Sequence, residues 1–72
     1  MGGKVRIIGI DPGLRNCGWG VVDSEANRLH FVACGTIRPP TEGSLAERLA
    51  ALHLAIREVV GLYAPDEAAV EE

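Results

Sequence analysis

Cysteine, long apolar runs and excess positive charge are all scarce in this 72-residue sequence. The two cysteines, Cys17 and Cys34, have neither the spacing of a metal-binding motif nor the density of a disulfide scaffold, so we expect reduced thiols. No stretch reaches the apolar length that a membrane span needs, and no secretory signal begins the chain. We therefore expect a cytoplasmic protein without a membrane anchor.

Positive charge is limited to seven Lys and Arg residues against ten acids, which gives a net charge of −3. This balance argues against a protein that binds polyanions through bulk charge alone. Four of the acids lie near the end of the chain, at Asp66, Glu67, Glu71 and Glu72, so residues 1–65 carry a net charge of +1. The apolar fraction of 47% is typical of a globular protein rather than of a disordered chain.

The length of the chain allows one small domain. A chain of this size buries only about 60% of the surface that it exposes when unfolded. The sequence also stops at Glu72, directly after a segment that is typical of a β-strand. We therefore expect these residues to be the leading portion of a longer protein.

The stretch around Asp11 is the most informative part of the sequence. Residues 5–10 form a nearly continuous, largely β-branched apolar run, which is typical of a strand buried on both faces. Asp11 follows, and Pro12 and Gly13 then force the chain to turn. The sequence thus predicts a carboxylate at the carboxyl end of a central strand, where open α/β sheets bind their ligands. The alternative is that Asp11 only begins an Asp-Pro-Gly turn.

Alternation and turn residues predict the other strands. We expect the four strands at about residues 4–10, 18–23, 29–37 and 66–72. The polar segment 25–28 reads as a hairpin connection between the second and third strands. Gly35, within the third strand, indicates either a β-bulge or a close backbone approach.

A capping box marks the start of a long helix. The Ser44 hydroxyl and the Glu47 side chain have the spacing to bond each other's backbone amides. Pro65 restricts the residue before it and ends the helix at about Tyr63. One apolar stripe runs along this helix, made of Leu45, Leu49, Leu52, Ile56, Val59 and Tyr63.

The connections predict how the elements assemble. Short links make the first three strands an antiparallel meander, and the helix lets the fourth strand lie parallel to the first, in the order 3-2-1-4. Connection rules alone permit other orders. In this α/β arrangement Asp11 and Glu71 lie at the carboxyl ends of neighbouring strands, about 4.8 Å apart. Two such acids are suited to bind divalent ions, and oxygen ligands alone favour Mg²⁺ or Mn²⁺ over zinc. Alternatively, Glu71 is simply a solvated acid.

Several motifs, in this order, resemble the bacterial RuvC family of Holliday junction resolvases over nearly all 72 residues. They are Ile8-Gly9-Ile10-Asp11-Pro12-Gly13, Gly18-Trp19-Gly20-Val21, Gly35-Thr36-Ile37-Arg38, residues 44–52, Pro65-Asp66 and Ala69-Val70-Glu71. The resemblance implies a ribonuclease H-like fold and a homodimeric endodeoxyribonuclease. It also implies that this enzyme resolves four-way DNA junctions in recombination and repair, with Mg²⁺ or Mn²⁺, beside branch-migration helicase partners.

The resemblance also implies which residues act. Asp11 matches the catalytic acid of the family's first strand, and Glu71 matches that of its fourth strand. Two further family acids, on a C-terminal helix, have no counterpart because the sequence ends first. We therefore expect residues 1–72 to be the N-terminal portion of a single nuclease domain, truncated after the fourth strand. We expect this piece alone to be inactive.

Three arginines are candidate contacts to DNA phosphate, namely Arg15, Arg28 and Arg38. Arg15 is the strongest candidate because it lies on the loop just after Asp11. For each of them the alternative is an ordinary solvated surface charge.

Other classes of protein share parts of this pattern. A strand followed by Gly-Ile-Asp-x-Gly also begins actin-like and sugar-kinase nucleotide-binding folds, but their phosphate loops are rich in Gly, Thr and Ser. Here Leu14-Arg15-Asn16 stands in that place. A resolvase-like RNA-processing protein, or a non-catalytic module that self-associates through the helix, is the further alternative.

Overall fold

Four strands and one helix make up residues 3–13 and 16–71, the part of the chain that the computed structural model describes. They are β1 (Val5–Asp11), β2 (Cys17–Glu25), β3 (Arg28–Ile37), α1 (Leu45–Tyr63) and β4 (Glu67–Val70). The strands form one sheet in the order β3-β2-β1-β4. β2 is antiparallel to both β1 and β3, whereas β4 is parallel to β1. The predicted meander and the order 3-2-1-4 are confirmed.

A two-residue turn joins β2 to β3. Ala26 and Asn27 both have positive φ, 49° and 66°, which gives the backbone twist that matches two antiparallel strands. The pairing of the two strands shifts between Val21 and Val22, which face Ala33 and Phe31. The irregularity in this ladder therefore lies away from Gly35, whose role is the close approach described below.

The two faces of the sheet differ in burial. The pairs Ile8↔Val21 and Ile10↔Trp19 lie on the face that α1 covers, which we call the helix face. Ile8, Val21 and Cys17 form its buried core. The opposite face, which carries Ile7, Gly9 and Asp11 from β1 and which we call the open face, has no cover among the described residues. The expectation that β1 is buried on both faces is therefore wrong within this part of the chain.

Helix α1 begins and ends as local chemistry requires. The Glu47 amide donates to the Ser44 hydroxyl over 3.1 Å, and the Ser44 amide donates to Glu47 Oε1 over 2.9 Å, so the capping box is confirmed. At the other end, Ala64 adopts a left-handed conformation, with φ 47° and ψ 58°, and its amide donates to the Val60 carbonyl. Among the described residues, no helix is long and apolar enough to cross a membrane.

The apolar stripe of α1 is only partly covered. Leu52 and Ile56 are half-buried, but the side chains of Leu45 and Leu49 are 57% and 47% exposed. No residue of the helix is fully buried. The described chain is elongated, at 49 × 19 × 17 Å. The helical period was therefore predicted correctly from the sequence, whereas the extent of the sheet surface beneath the helix was not.

Arg6 ties β1 to β2 and to the end of α1. Its Nε and Nη2 donate to the two Asp23 carboxylate oxygens over 2.8 and 3.0 Å, and its Nη1 donates to the Tyr63 carbonyl over 3.1 Å. Lys4 Nζ lies 3.7 Å from Asp23 Oδ2. A nearly buried carboxylate is stable only with such partners, and Asp23 is 7% exposed. The ion pair therefore holds the helix end against the first hairpin.

Trp19 packs between the helix and β3. Its ring centroid lies 5.6 Å from that of Tyr63, with the planes tilted by 44°. On the other side it lies against the backbone of Gly35, where a Cβ atom would be 2.7 Å from Trp19 Cζ2. Gly35 thus permits the close approach that its place in the sequence indicated.

Replacing Gly35 by Ala should destabilise the fold by about 1–3 kcal/mol, because the rigid indole ring must move to admit the new methyl group. Gly61→Ala is the matched control, since a Cβ there meets no atom within 4 Å. The helix propensity of alanine should make this control more stable by about 0.5–1 kcal/mol. Urea denaturation measures both, and equal free energies of unfolding for the two variants would contradict the packing assignment.

The Arg6–Asp23 pair should also make stability depend on pH. Hydrogen bonds from Arg6 lower the pKa of the Asp23 carboxyl from its usual value, against the opposing effect of burial. A lowered pKa in the folded state adds stability above the unfolded pKa of about 3.9, and this stability is lost as the pH falls through the folded value. The wild type should therefore have a larger free energy of unfolding than Asp23→Asn at pH 5, and this difference should shrink as the pH is lowered to about pH 2. Urea denaturation across that range measures it, and a constant difference would refute the coupling.

Candidate functional site

Asp11 is the last residue of β1 and is exposed to solvent. Pro12 and Gly13 then lead the chain out of the sheet. A Cβ on Gly13 would lie 2.5 Å from the Asn16 carbonyl oxygen, so position 13 accommodates only glycine without a shift. The strand ends at Asp11, which leaves the Asp11 carboxylate at the strand end.

The parallel pairing of β1 with β4 brings Glu71 to the same edge. The last pair of the ladder is Ile10↔Val70, and the Glu71 amide donates to the Ile10 carbonyl over 2.8 Å. Glu71 is thus the residue next to β4, beside Asp11 on β1. Neighbouring strands lie about 4.8 Å apart, so the two backbones are close at this point.

Both acids belong to the open face of the sheet. The pairs Ile7↔Glu67 and Gly9↔Ala69 lie on that face, and alternation along each strand assigns Asp11 and Glu71 to it as well. The structure therefore places the two predicted site residues at one end and on one face of neighbouring strands. Their catalytic role stays a prediction.

Glycines leave the surface around Asp11 uncrowded. Gly18 is the antiparallel partner of Asp11, and a Cβ on Gly18 would meet no atom within 4 Å. Gly9 and Gly20 face each other two residues further along the ladder. Without side chains on these residues, a bulky group can approach the backbone and the two exposed carboxylates.

Cys17 lies beneath this edge, on the helix face, and is fully buried. Burial raises the pKa of its thiol, and the negative charge of Asp11 raises it further, while a hydrogen bond from the Gly13 backbone opposes both. Burial and the nearby Asp11 charge thus both favour the protonated thiol over the thiolate. Both Cys17 and Cys34 are free thiols.

The donor set fits part of a site for a hard cation. Asp11 and Glu71 offer carboxylate oxygens, which Mg²⁺ and Mn²⁺ prefer. Within residues 3–13 and 16–71, no group of three or more His, Cys, Asp or Glu side chains is gathered for a metal ion. The described residues thus offer two carboxylates at this edge, fewer oxygen ligands than such an ion requires.

The three candidate DNA-binding arginines do not lie together. Arg38 is exposed and follows β3 at the Asp11 end of the sheet, where Ile37 pairs with Cys17. Arg28 is exposed at the start of β3, about 30 Å along the strand from Ile37 and Arg38 at its other end. Arg15, like Glu72, lies outside the described residues.

The residues that hold β4 in place were missed by reasoning from the sequence. Asp66 bonds the backbone of Arg6, and Arg6 in turn bonds Asp23. One signal was present, because Arg6 and Asp23 are charged residues within otherwise apolar strand patterns. Charges in such places are buried only in pairs, which could have suggested a partner for each.

The sheet order, the parallel β4 and the acid at the end of β1 define the N-terminal part of a ribonuclease H-like α/β fold. The sequence profile of the family described as "Crossover junction endodeoxyribonuclease RuvC" matches residues 7–72. The chain belongs to this family. This confirms the predicted resemblance.

Curated relatives agree with the family assignment. Two curated relatives named crossover junction endodeoxyribonuclease RuvC, from Azorhizobium caulinodans and Rhodopseudomonas palustris, are 60% and 59% identical over 70 and 68 residues. These matches cover 97% and 94% of this chain but 41% and 39% of those proteins. The chain thus spans about two-fifths of the length of these relatives.

A solved structure is similar to the fold. It is described as T. thermophilus RuvC in complex with Holliday junction substrate, and it superposes with a TM-score of 0.80 at 29% sequence identity. The match covers 94% of this chain and 42% of that chain.

Proposed function

We propose that this chain is the N-terminal part of a single nuclease domain, in a protein that resolves Holliday junctions during recombination and repair. The reaction is hydrolysis of a phosphodiester, in which water adds to phosphorus and the bond to one ester oxygen breaks. Family membership and the DNA-bound Thermus relative support this proposal. The observation that carries it is the juxtaposition of Asp11 and Glu71 at one edge of the sheet.

Asp11 and Glu71 are the proposed ligands of Mg²⁺ or Mn²⁺. When bound, such an ion lowers the pKa of water and offsets negative charge on the phosphate. Asp11 and Glu71 would hold the ion at the strand ends, where both residues are exposed. The glycines of the open face leave room for the phosphodiester to approach. Further carboxylates, from outside this chain, complete the ligand set.

The proposed contacts to DNA follow the positions of the arginines. Arg38 and Arg15 are proposed phosphate contacts near the reacting bond, because both lie close in sequence to elements of the Asp11 edge. Arg28 lies at the other end of the sheet and is proposed to contact a more distant phosphate. We also propose a cytoplasmic homodimer that works with a branch-migration helicase, as the family resemblance implies.

Asp11→Asn should lower the rate of junction cleavage by the complete protein at least about 10³-fold. The substitution removes a charged metal ligand, and stabilisation by the ion amounts to several kcal/mol in the transition state. Junction binding should persist, because the variant repels phosphate less than the wild type does. Cleavage of a labelled four-way junction and its binding in gel-shift assays measure the two effects.

Glu25→Gln is the matched control for Asp11→Asn. It removes the same charge from an exposed carboxylate at the opposite end of β2, and it should cleave as the wild type does. Cleavage at the wild-type rate by Asp11→Asn, in a folded protein that binds junctions, would refute the assigned site.

The 72-residue chain by itself should not cleave junctions and should bind Mg²⁺ only weakly. It supplies two carboxylates at the proposed site, whereas a tightly held ion requires more protein oxygens or substrate phosphates. Incubating the pure chain with a labelled junction and Mg²⁺, beside the complete protein as the positive control, measures this. Robust metal-dependent cleavage by the chain alone would contradict the expectation.

A further inference from the structure

Strand β4 has little in its own side chains to determine its alignment with β1. It has four residues, Glu67–Val70, all of them exposed, and its central residues are the small Ala68 and Ala69. Its only strand partner among the described residues is β1. Because side chains alternate along a strand, a slip of one residue turns each of them to the other face. Such a slip would move the Glu71 side chain away from Asp11.

Two hydrogen bonds at the start of β4 oppose this slip. The Asp66 amide donates to the Arg6 carbonyl over 2.7 Å, and the Arg6 amide donates to Asp66 Oδ2 over 2.8 Å. Together they close a ring that contains the backbone amide and carbonyl of Arg6 and the backbone amide and side-chain carboxylate of Asp66. A shift of either strand by one residue would break both bonds at once.

The side-chain bond has a specific cause. The Arg6 amide points towards β4 but precedes the first paired residues of the ladder, Ile7 and Glu67. In a regular parallel ladder, a carbonyl of the neighbouring strand would accept from this amide. The Asp66 carboxylate takes the place of that carbonyl and satisfies a donor that would otherwise lack a partner in the sheet.

Arg6 is held in place by hydrogen bonds that do not involve β4. Its guanidinium bonds both carboxylate oxygens of Asp23 and the carbonyl of Tyr63. The residue is therefore held from the side of β2 and from the end of α1, independently of β4. At the far end of β4, the bond from the Glu71 amide to the Ile10 carbonyl continues the same alignment.

We propose that Asp66 is a positioning residue for the metal site, which keeps Glu71 beside Asp11 by setting the alignment of β4 on β1. This inference rests on the proposed function, because it matters to catalysis only if Asp11 and Glu71 bind the ion together. It assigns a role to an acid that touches neither the ion nor the DNA. The role is exerted through the backbone, five residues before Glu71.

The test uses the complete protein. Calorimetry without DNA measures the Kd for Mn²⁺, and cleavage assays measure the Mn²⁺ concentration that half-saturates the reaction. Asp66→Ala should raise the Kd and the half-saturating concentration about 10-fold or more, which is the usual effect of losing a residue that supports a metal ligand. Asp66→Asn should restore most of the affinity, because its amide oxygen can accept from the same Arg6 amide. Junction binding should not change in either variant.

Glu67→Ala is the matched control, since it removes the same charge from the neighbouring residue, which no side-chain bond joins to Arg6. It should bind Mn²⁺ as the wild type does. Wild-type Mn²⁺ affinity in Asp66→Ala, an equal loss in Glu67→Ala, or a failure of Asp66→Asn to restore binding would each overturn the inference. If Asp66→Ala does not fold, Asp66→Leu replaces it, because its branched side chain is similar in shape to that of Asp but has no acceptor for the Arg6 amide, and the same outcomes decide.

Asp11→Asn, assayed in parallel, separates the two proposals. If Asp11→Asn abolishes cleavage while Asp66→Ala binds Mn²⁺ normally, the positioning role alone is wrong. If Asp11→Asn cleaves normally, the proposed metal site itself is wrong.

Discussion

The ion pair between Arg6 and Asp23 is the interaction on which the arrangement of this chain depends. Both groups lie on the helix face, and Asp23 is nearly buried, so its carboxylate depends there on the hydrogen bonds from Arg6. Arg6 is the residue at which β2, the end of α1 and the start of β4 meet, through Asp23, Tyr63 and Asp66. A single residue of the central strand therefore joins elements that are up to 60 residues apart in the sequence.

The joined end and the candidate site lie at opposite ends of the same two strands. From Arg6 to Asp11 is five residues, or about 17 Å of extended chain. Over that distance the parallel ladder carries the alignment from Asp66 to Glu71. The buried charges therefore lie away from the candidate site, where Asp11 and Glu71 are exposed and the neighbouring glycines leave the surface uncrowded.

Several large apolar side chains of the described residues are exposed. Phe31 and Leu29 on β3 and Leu45 on α1 are all more than half exposed, and the open face of the sheet has no cover among the described residues. Exposed apolar patches of this kind mark surfaces on which other groups pack. The proposed metal site is likewise incomplete, since the described residues bring only two carboxylates together there. This chain matches about two-fifths of the length of the curated relatives. That share agrees with the exposed apolar surface and with a proposed site that has only two carboxylates.

The sequence by itself determined the elements whose causes are local. The capping box at Ser44 and the helical period of the leucines located α1, and the apolar run before Asp11-Pro12-Gly13 located β1 and the acid at its end. The connection lengths, together with the continuous apolar run of β1, then favoured the strand order that the structure has, although connection rules alone permit other orders. Tertiary structure alone decided how β4 is aligned, that Gly35 admits the Trp19 ring, and which leucines of the helix stay exposed. Each of these depends on contacts between residues distant along the chain, and neither propensity nor periodicity carries information about such contacts.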